Sequence, residues 1–232
     1  MKHEHKNHRE RLRKRFFETG FRGFAPHEVL EFMLFYSIPQ QDTNGIAHRL
    51  IDYFGSFSAV LDADPVELMR VSGVKEVSAA LIKLIPALCS YYHIDKTYGG
   101  KKLASIDSVA EYCMYKTISE TRERFYVIVF DNTMRMLAFE TLSEGSQSEV
   151  EVNVEQLAQV LFRYAGSNFI LVHNHPGGSP APSDADIILT QRIYSVFAPL
   201  NKNLIEHIII SKNKYIPIMH TLRSRGYDFY KL

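Results

Sequence analysis

Three side chains at close spacing carry the chemistry legible in this chain: His173, His175 and, further on, Asp186. The apolar run just before them, Asn168-Phe169-Ile170-Leu171-Val172, reads as a buried strand. On a strand, residues two apart point to the same side, so both imidazoles are presented to one spot at the strand's end. Pro176-Gly177-Gly178-Ser179-Pro180 then breaks the strand and turns the chain. Ser183 opens an amphipathic helix, with Ile187, Ile188, Ile193, Val196 and Phe197 on or near one face and Asp186 in its first turn. Two neutral nitrogens and a carboxylate suit a divalent ion of the zinc type. Three protein ligands also leave a position for water, which marks a catalytic rather than a structural site.

The same residues have plainer roles. A His-x-His pair is common on surfaces, and Ser183-x-x-Asp186 is also a capping box. Metal ligation is favoured by the combination of strand end, turn and helix start, each carrying one donor. Ser183 has two roles open to it: capping the helix, or donating its hydroxyl to the oxygen on which charge develops when a carbonyl is attacked. His207, a lone histidine on the apolar strand Glu206-His207-Ile208-Ile209-Ile210, reads as a core residue or a support for the ligands rather than a fourth ligand.

Helix and strand signals alternate around these residues from about 103 to 232. A helix is expected over 108–117, with Ser108 and Glu111 as its capping box, and strands over 125–130, 134–142 and 148–152. A helix capped by Asn153 should stop at Gly166, and the helix from 184 should end near Pro199. A hairpin of 204–211 with 215–219 closes the set. The economical architecture is α/β: a mixed sheet flanked by helices. Residues 1–92 read as helices only, over about 8–18, 27–37, 43–54, 65–71 and 76–92, with Pro26 and Asp64-Pro65 marking starts. Residues 93–102 read as a linker, polar at Tyr98-Gly99-Gly100-Lys101-Lys102.

The metal-site spacing, His-x-His, seven residues, then Ser-x-x-Asp, matches without a gap the JAMM motif of the JAB/MPN metallo-hydrolases. Leu171-Val172-His173-Asn174-His175-Pro176 with Pro182-Ser183 and Asp186 resembles the RadC branch of that family. The resemblance implies a cytidine-deaminase-like α/β fold and one zinc per chain held by His173, His175 and Asp186. It also implies hydrolysis of an amide or isopeptide bond in a peptide substrate. A general base is implied at Glu123, in Arg122-Glu123-Arg124-Phe125; by strand alternation Glu123 shares a face with Phe125 and Val127. The residues alone allow a surface Glu paired with a neighbouring Arg. Where the family has Ser-Gly after His-Asn-His-Pro, this chain has Gly177-Gly178.

Within the N-terminal half, Leu68 to Lys83 resembles a helix–hairpin–helix, whose Gly-rich turn and helix start offer backbone N–H groups to a DNA phosphate. The contact would fall at Gly73 and Lys75, Lys75 standing where that motif has its second glycine. Residues 1–24 hold eight Lys/Arg against three Glu, which suits nucleic acid or simply a solvated helix. The acidic stretch with Glu144, Glu149 and Glu151 disfavours nucleic acid at the metal, so any DNA contact belongs to residues 1–92.

A chain of 232 residues with 46% hydrophobic and 23% charged residues can bury one large or two small cores. No apolar run approaches the roughly 20 residues that span a bilayer, and the polar N-terminus is unlike a signal peptide. Cys89 and Cys113 form no C-x-x-C and read as small buried hydrophobes in a reducing, cytoplasmic setting. Tyr227, Phe229 and Tyr230 suit packing against the domain or against another subunit. Besides a zinc hydrolase, two further roles fit: a DNA-binding accessory protein and a catalytically silent relative.

Overall fold

A computed structural model describes residues 2–98, 103, 105–118, 120–144, 152–176, 178–211, 214–224 and 226. The expected strand residues 148–151, the acidic Glu149 and Glu151, the turn residue Gly177, the linker residues 99–102 and the aromatics at 227, 229 and 230 lie outside the described residues. The chain divides into two compact units, Met1–Cys89 and Ser90–Leu232.

The first unit is helical: α1 (Lys2–Thr19), α2 (Pro26–Ser37), α3 (Asn44–Phe54), α4 (Phe57–Asp62), α5 (Pro65–Arg70) and the first part of α6 (Glu76–Tyr98). Pro26 and Pro65 stand in first turns, where a missing N–H costs nothing, and the Asp64 side chain accepts from Val66 N. Leu30, Leu34, Ile46, Leu50, Val60, Leu68 and Ile82 form its core. Leu12, Phe32 and Phe35 make a smaller cluster under α1. The short α4 carries no strong sequence periodicity and was not expected; Ser56 caps it by accepting from Ala59 N.

α6 corrects the expected linker. Residues 93–98 are helical, because tertiary contacts hold the last turns: the His93 ring stacks on Tyr115, Ser90 Oγ donates to Tyr115 O, and Ile94 and Tyr98 pack in the second unit's core. At 23 residues α6 is long and apolar enough to cross a membrane by length and composition, which corrects the expectation that no apolar stretch reaches that length. Its Ala79 and Ile82 are buried in the helical core.

The second unit is built on a mixed five-stranded sheet in the order β2-β1-β3-β4-β5: β1 Arg124–Phe130, β2 Met136–Glu144, β3 Asn168–Asn174, β4 Asn203–Ser211 and β5 Lys214–Pro217. Helices α7 (Ile106–Thr117), α8 (Val154–Arg163), α9 (Asp184–Phe197) and α10 (Ile218–Ser224) flank it. Strand alternation sorts the core. Phe125, Val127, Val129, Phe169, Leu171 and Ile209 face α8, α9 and α10. Tyr126, Ile128, Phe130, Ile170, Val172, Ile208 and Ile210 face α7 and the end of α6.

Three local expectations change. The cap of α7 is Ser105, with Ser108 as its reciprocal partner three residues on. Val152 lies in no strand. The second arm of the final hairpin stops at Pro217, and α10 begins at once. The start of α10 is satisfied from far upstream: the buried Glu206 carboxylate accepts from Met219 N (2.6 Å) and His220 N (3.0 Å). Burial raises the Glu206 carboxyl above its ordinary range despite those bonds.

Candidate metal centre

β3 lies between an antiparallel neighbour, β1, and a parallel one, β4, joined to it through α9. That register sets the site. His173 pairs across with Phe125 of β1, and Leu171 pairs with His207 of β4. Alternation then puts Phe125, His173 and His207 on one face, at the end of the strands where α9 begins. The Phe125 ring stacks on His173 with centroids 4.0 Å apart and planes 21° apart, and lies 5.5 Å from the His207 ring.

α9 brings Asp186 to the same place through its first turn. The capping box is formed in full: Ser183 Oγ accepts from Asp186 N (3.2 Å), and Ser183 N donates to Asp186 Oδ2 (2.8 Å). Ser183 Oγ also donates to Oδ2 (2.6 Å). Capping does not exclude the second role of Asp186, since its other oxygen is turned to the histidines: His173 Nδ1 donates to Oδ1 at 3.0 Å. Burial by itself would push this carboxyl up. The hydrogen bonds from His173 and Ser183 outweigh it and hold Asp186 well below the ordinary carboxylate range.

With Nδ1 spent on Asp186, His173 keeps Nε2 free. That nitrogen is buried without a hydrogen-bond partner, and Glu123 Oε2 stands 3.9 Å from it. Of the other glutamates that could supply the base, Glu120 and Glu140 are engaged elsewhere, and Glu149 lies outside the described residues. Glu120 pairs with Arg124 Nη1 at 3.1 Å, and Glu140 accepts from Tyr164. Glu123 thus stands beside His173, while Glu120 is an ion-pair partner of Arg124.

His175, just past β3, is held by two backbone contacts: its N–H donates to Ile210 O (2.6 Å) and its Nδ1 to Ser179 O (3.0 Å). The His173 and His175 rings meet edge to face with centroids 4.4 Å apart. An imidazole whose Nδ1–H is fixed on a carbonyl offers Nε2 as a lone pair, the arrangement metal-ligating histidines adopt. Among the described residues, the group whose donor atoms all lie within 4.8 Å of one another is nonetheless His173, Asp186 and His207. The structure thus brings His173, Asp186 and Glu123 together, sets His175 beside them, and adds His207. Burial, and then the neighbouring His173, push the His207 imidazole down to about 3, so it is neutral at physiological pH.

Asn174 has a part that its place between two histidines concealed. It is buried, its Oδ1 accepts from Arg124 N (2.9 Å) and its Nδ2 donates to Arg122 O (2.9 Å). One side chain thereby grips the backbone on both sides of Glu123. Asn174 could be found only from the antiparallel register that sets it opposite Arg124.

A family profile described as RadC-like JAB domain matches residues 103–223. The chain belongs to that family. A UPF0758 protein of Ruegeria pomeroyi is 34% identical over 222 residues, which is 96% of this chain and 97% of the relative. UPF0758 proteins of Fusobacterium nucleatum (33% over 223 residues, 93% and 96%) and Rhodobacter capsulatus (33% over 203 residues, 88% and 95%) are similar in the same way. The match thus covers all five strands of the sheet and every residue of the candidate centre.

Of the two residues singled out for DNA, Gly73 has a packing reason to be glycine. Its φ is +97°, and a Cβ there would come within 2.7 Å of Ile46 Cδ1. Arg49 donates to Ser72 O beside it through Nε (3.1 Å) and Nη2 (2.9 Å). Lys75 is exposed, one residue before α6.

Proposed function

We propose that this JAB-domain protein is a metal-dependent hydrolase of amide or isopeptide bonds, with His173, His175 and Asp186 holding one zinc-type cation. The observation that carries the reading is the bare, buried Nε2 of His173 with the Glu123 carboxylate 3.9 Å away. A buried nitrogen with no partner costs about 1–3 kcal/mol unless something binds it. The donor set fits the ion: neutral imidazoles and a carboxylate, which Ser183 and His173 keep ionised, are the ligands zinc takes.

A bound zinc-type ion supplies Lewis acidity, making water a nucleophile near neutral pH and polarising a carbonyl. The chain's own residues supply the rest. Glu123 accepts the proton of the attacking water as its oxygen bonds to the carbonyl carbon. It then returns that proton to the nitrogen as the C–N bond breaks. Asn174 fixes the backbone that carries Glu123, and Phe125 holds the His173 ring face on. Ser183 donates to the carbonyl oxygen once its hydroxyl leaves Asp186 Oδ2, so its capping and catalytic roles alternate.

The test is elemental analysis and hydrolysis on the untagged chain. One zinc per chain is expected, lost in His173→Ala, with Glu123→Gln keeping the metal while cleaving no isopeptide-linked or peptide substrate that the unmodified chain cleaves. Equal, sub-stoichiometric zinc in the unmodified chain and His173→Ala would remove the proposal.

A further inference from the structure

α6 leaves one face of the helical unit without cover. A helix that is apolar all round is normally buried, yet only 22% of the most apolar stretch of α6 is. The part that belongs to the first unit puts Ala79 and Ile82 into the core. At 3.6 residues per turn, Val77, Leu84 and Leu88 fall in one narrow stripe turned away from that core, 66%, 47% and 51% exposed. Lys83 is the one charged residue between Val77 and Leu88, and its ammonium donates to Leu61 O (2.7 Å) within the unit.

Beside this ridge, Leu81 and Ile85 of the same helix form one wall of a groove of about 560 Å³. Phe21, Phe32, Met33 and Tyr36 are among its other walls, and the rings of Phe21 and Tyr36 are exposed. Ridge and groove thus lie side by side on one apolar surface. Single exposed apolar side chains need no explanation, whereas a continuous patch marks a contact surface.

We propose that this surface pairs with the same surface of a second copy of the chain, the ridge of each copy seated in the groove of the other. A two-fold pair needs a surface complementary to itself, and here the ridge and a groove that can take it are adjacent. Two copies of a ridge without free charge also bring no like charges together. The area suffices. At about 150–200 Å² for a large side chain, the exposed fractions of ridge and groove amount to roughly 600 Å² per copy. The pair then buries on the order of 1,200 Å², the lower limit of stable, specific interfaces. A flat lipid surface would cover the ridge and leave the groove empty.

The experiment is sedimentation velocity on the full chain across micromolar concentrations, beside flotation on phosphatidylcholine vesicles. The unmodified chain should be a dimer. Leu84→Glu with Leu88→Glu puts carboxylates into the paired ridge and should weaken self-association about a hundredfold or more, leaving monomers. Tyr36→Glu, across the groove, should weaken it too. Leu200→Glu, at an equally exposed leucine of the second unit, should leave the dimer intact. A monomeric unmodified chain, a dimer that survives the paired substitution, or one that Leu200→Glu dissociates would overturn the proposal. So would an unmodified chain that floats with the vesicles and a paired variant that does not, since the surface would then belong to lipid. If circular dichroism shows the paired variant unfolded, Tyr36→Glu decides.

Discussion

Asn174→Ala is the sharpest probe of how the fold holds Glu123. The asparagine makes two hydrogen bonds of 2.9 Å, from its amide to Arg122 O and from Arg124 N to its oxygen. Alanine removes both. Each bond is worth about 1 kcal/mol net, and a buried backbone group left without its partner adds about 1 kcal/mol or more. Arg122 is exposed, so water takes over at its carbonyl; Arg124 is half-buried and its N–H bears the larger loss. The sum is about 2–3 kcal/mol, which lowers the melting temperature of a domain of this size by roughly 6–12 °C. Asn174 turns away from His173 along the strand, so on the proposed reading zinc stoichiometry should not change while hydrolysis drops with Glu123 unmoored. Thermal melts and zinc analysis of the variant read both effects. A melting temperature within about a degree of the parent's, or loss of the metal, would refute the reasoning.

Two further outcomes follow from groups outside the centre. Cys89 is exposed, against the expectation that both cysteines are buried, whereas Cys113 is fully buried and burial pushes its thiol well up; a thiol-specific reagent should modify one cysteine per native chain and the second only on unfolding, and two fast equivalents would contradict the packing of α7. Glu28 is held below its ordinary carboxylate range, chiefly by its hydrogen bond from Arg15 across α1 and α2 (2.7 Å). A depressed carboxylate stabilises the fold above its unfolded value near 4.5 and loses that contribution as pH falls through and below it, so Arg15→Gln should flatten the acid limb of a helical-unit stability curve. An identical acid limb in the variant would show the pair to be idle.

Local chemistry could be read without the fold. The Ser183–Asp186 capping box, the proline starts of α2 and α5 and the Asn153 cap are satisfied within three residues, so spacing alone specifies them. The apolar run before His173 and the strand period likewise predicted a buried strand that presents His173 at its end. The family resemblance, not the spacing, singled out Glu123 among several glutamates. Tertiary structure decided the rest, because those partners lie far apart in the chain. His207 reaches Asp186 through a parallel register set by the β3–α9–β4 crossover, and Asn174 reaches Arg122 and Arg124 across an antiparallel pairing. Glu206 caps a helix twelve residues downstream, and α6 outruns its expected end because His93, Ile94 and Tyr98 find partners in the sheet unit. A sequence window senses hydrogen bonds that close within a turn or two. It cannot sense which strand will lie beside which, and that pairing fixes how many nitrogens converge beside Asp186.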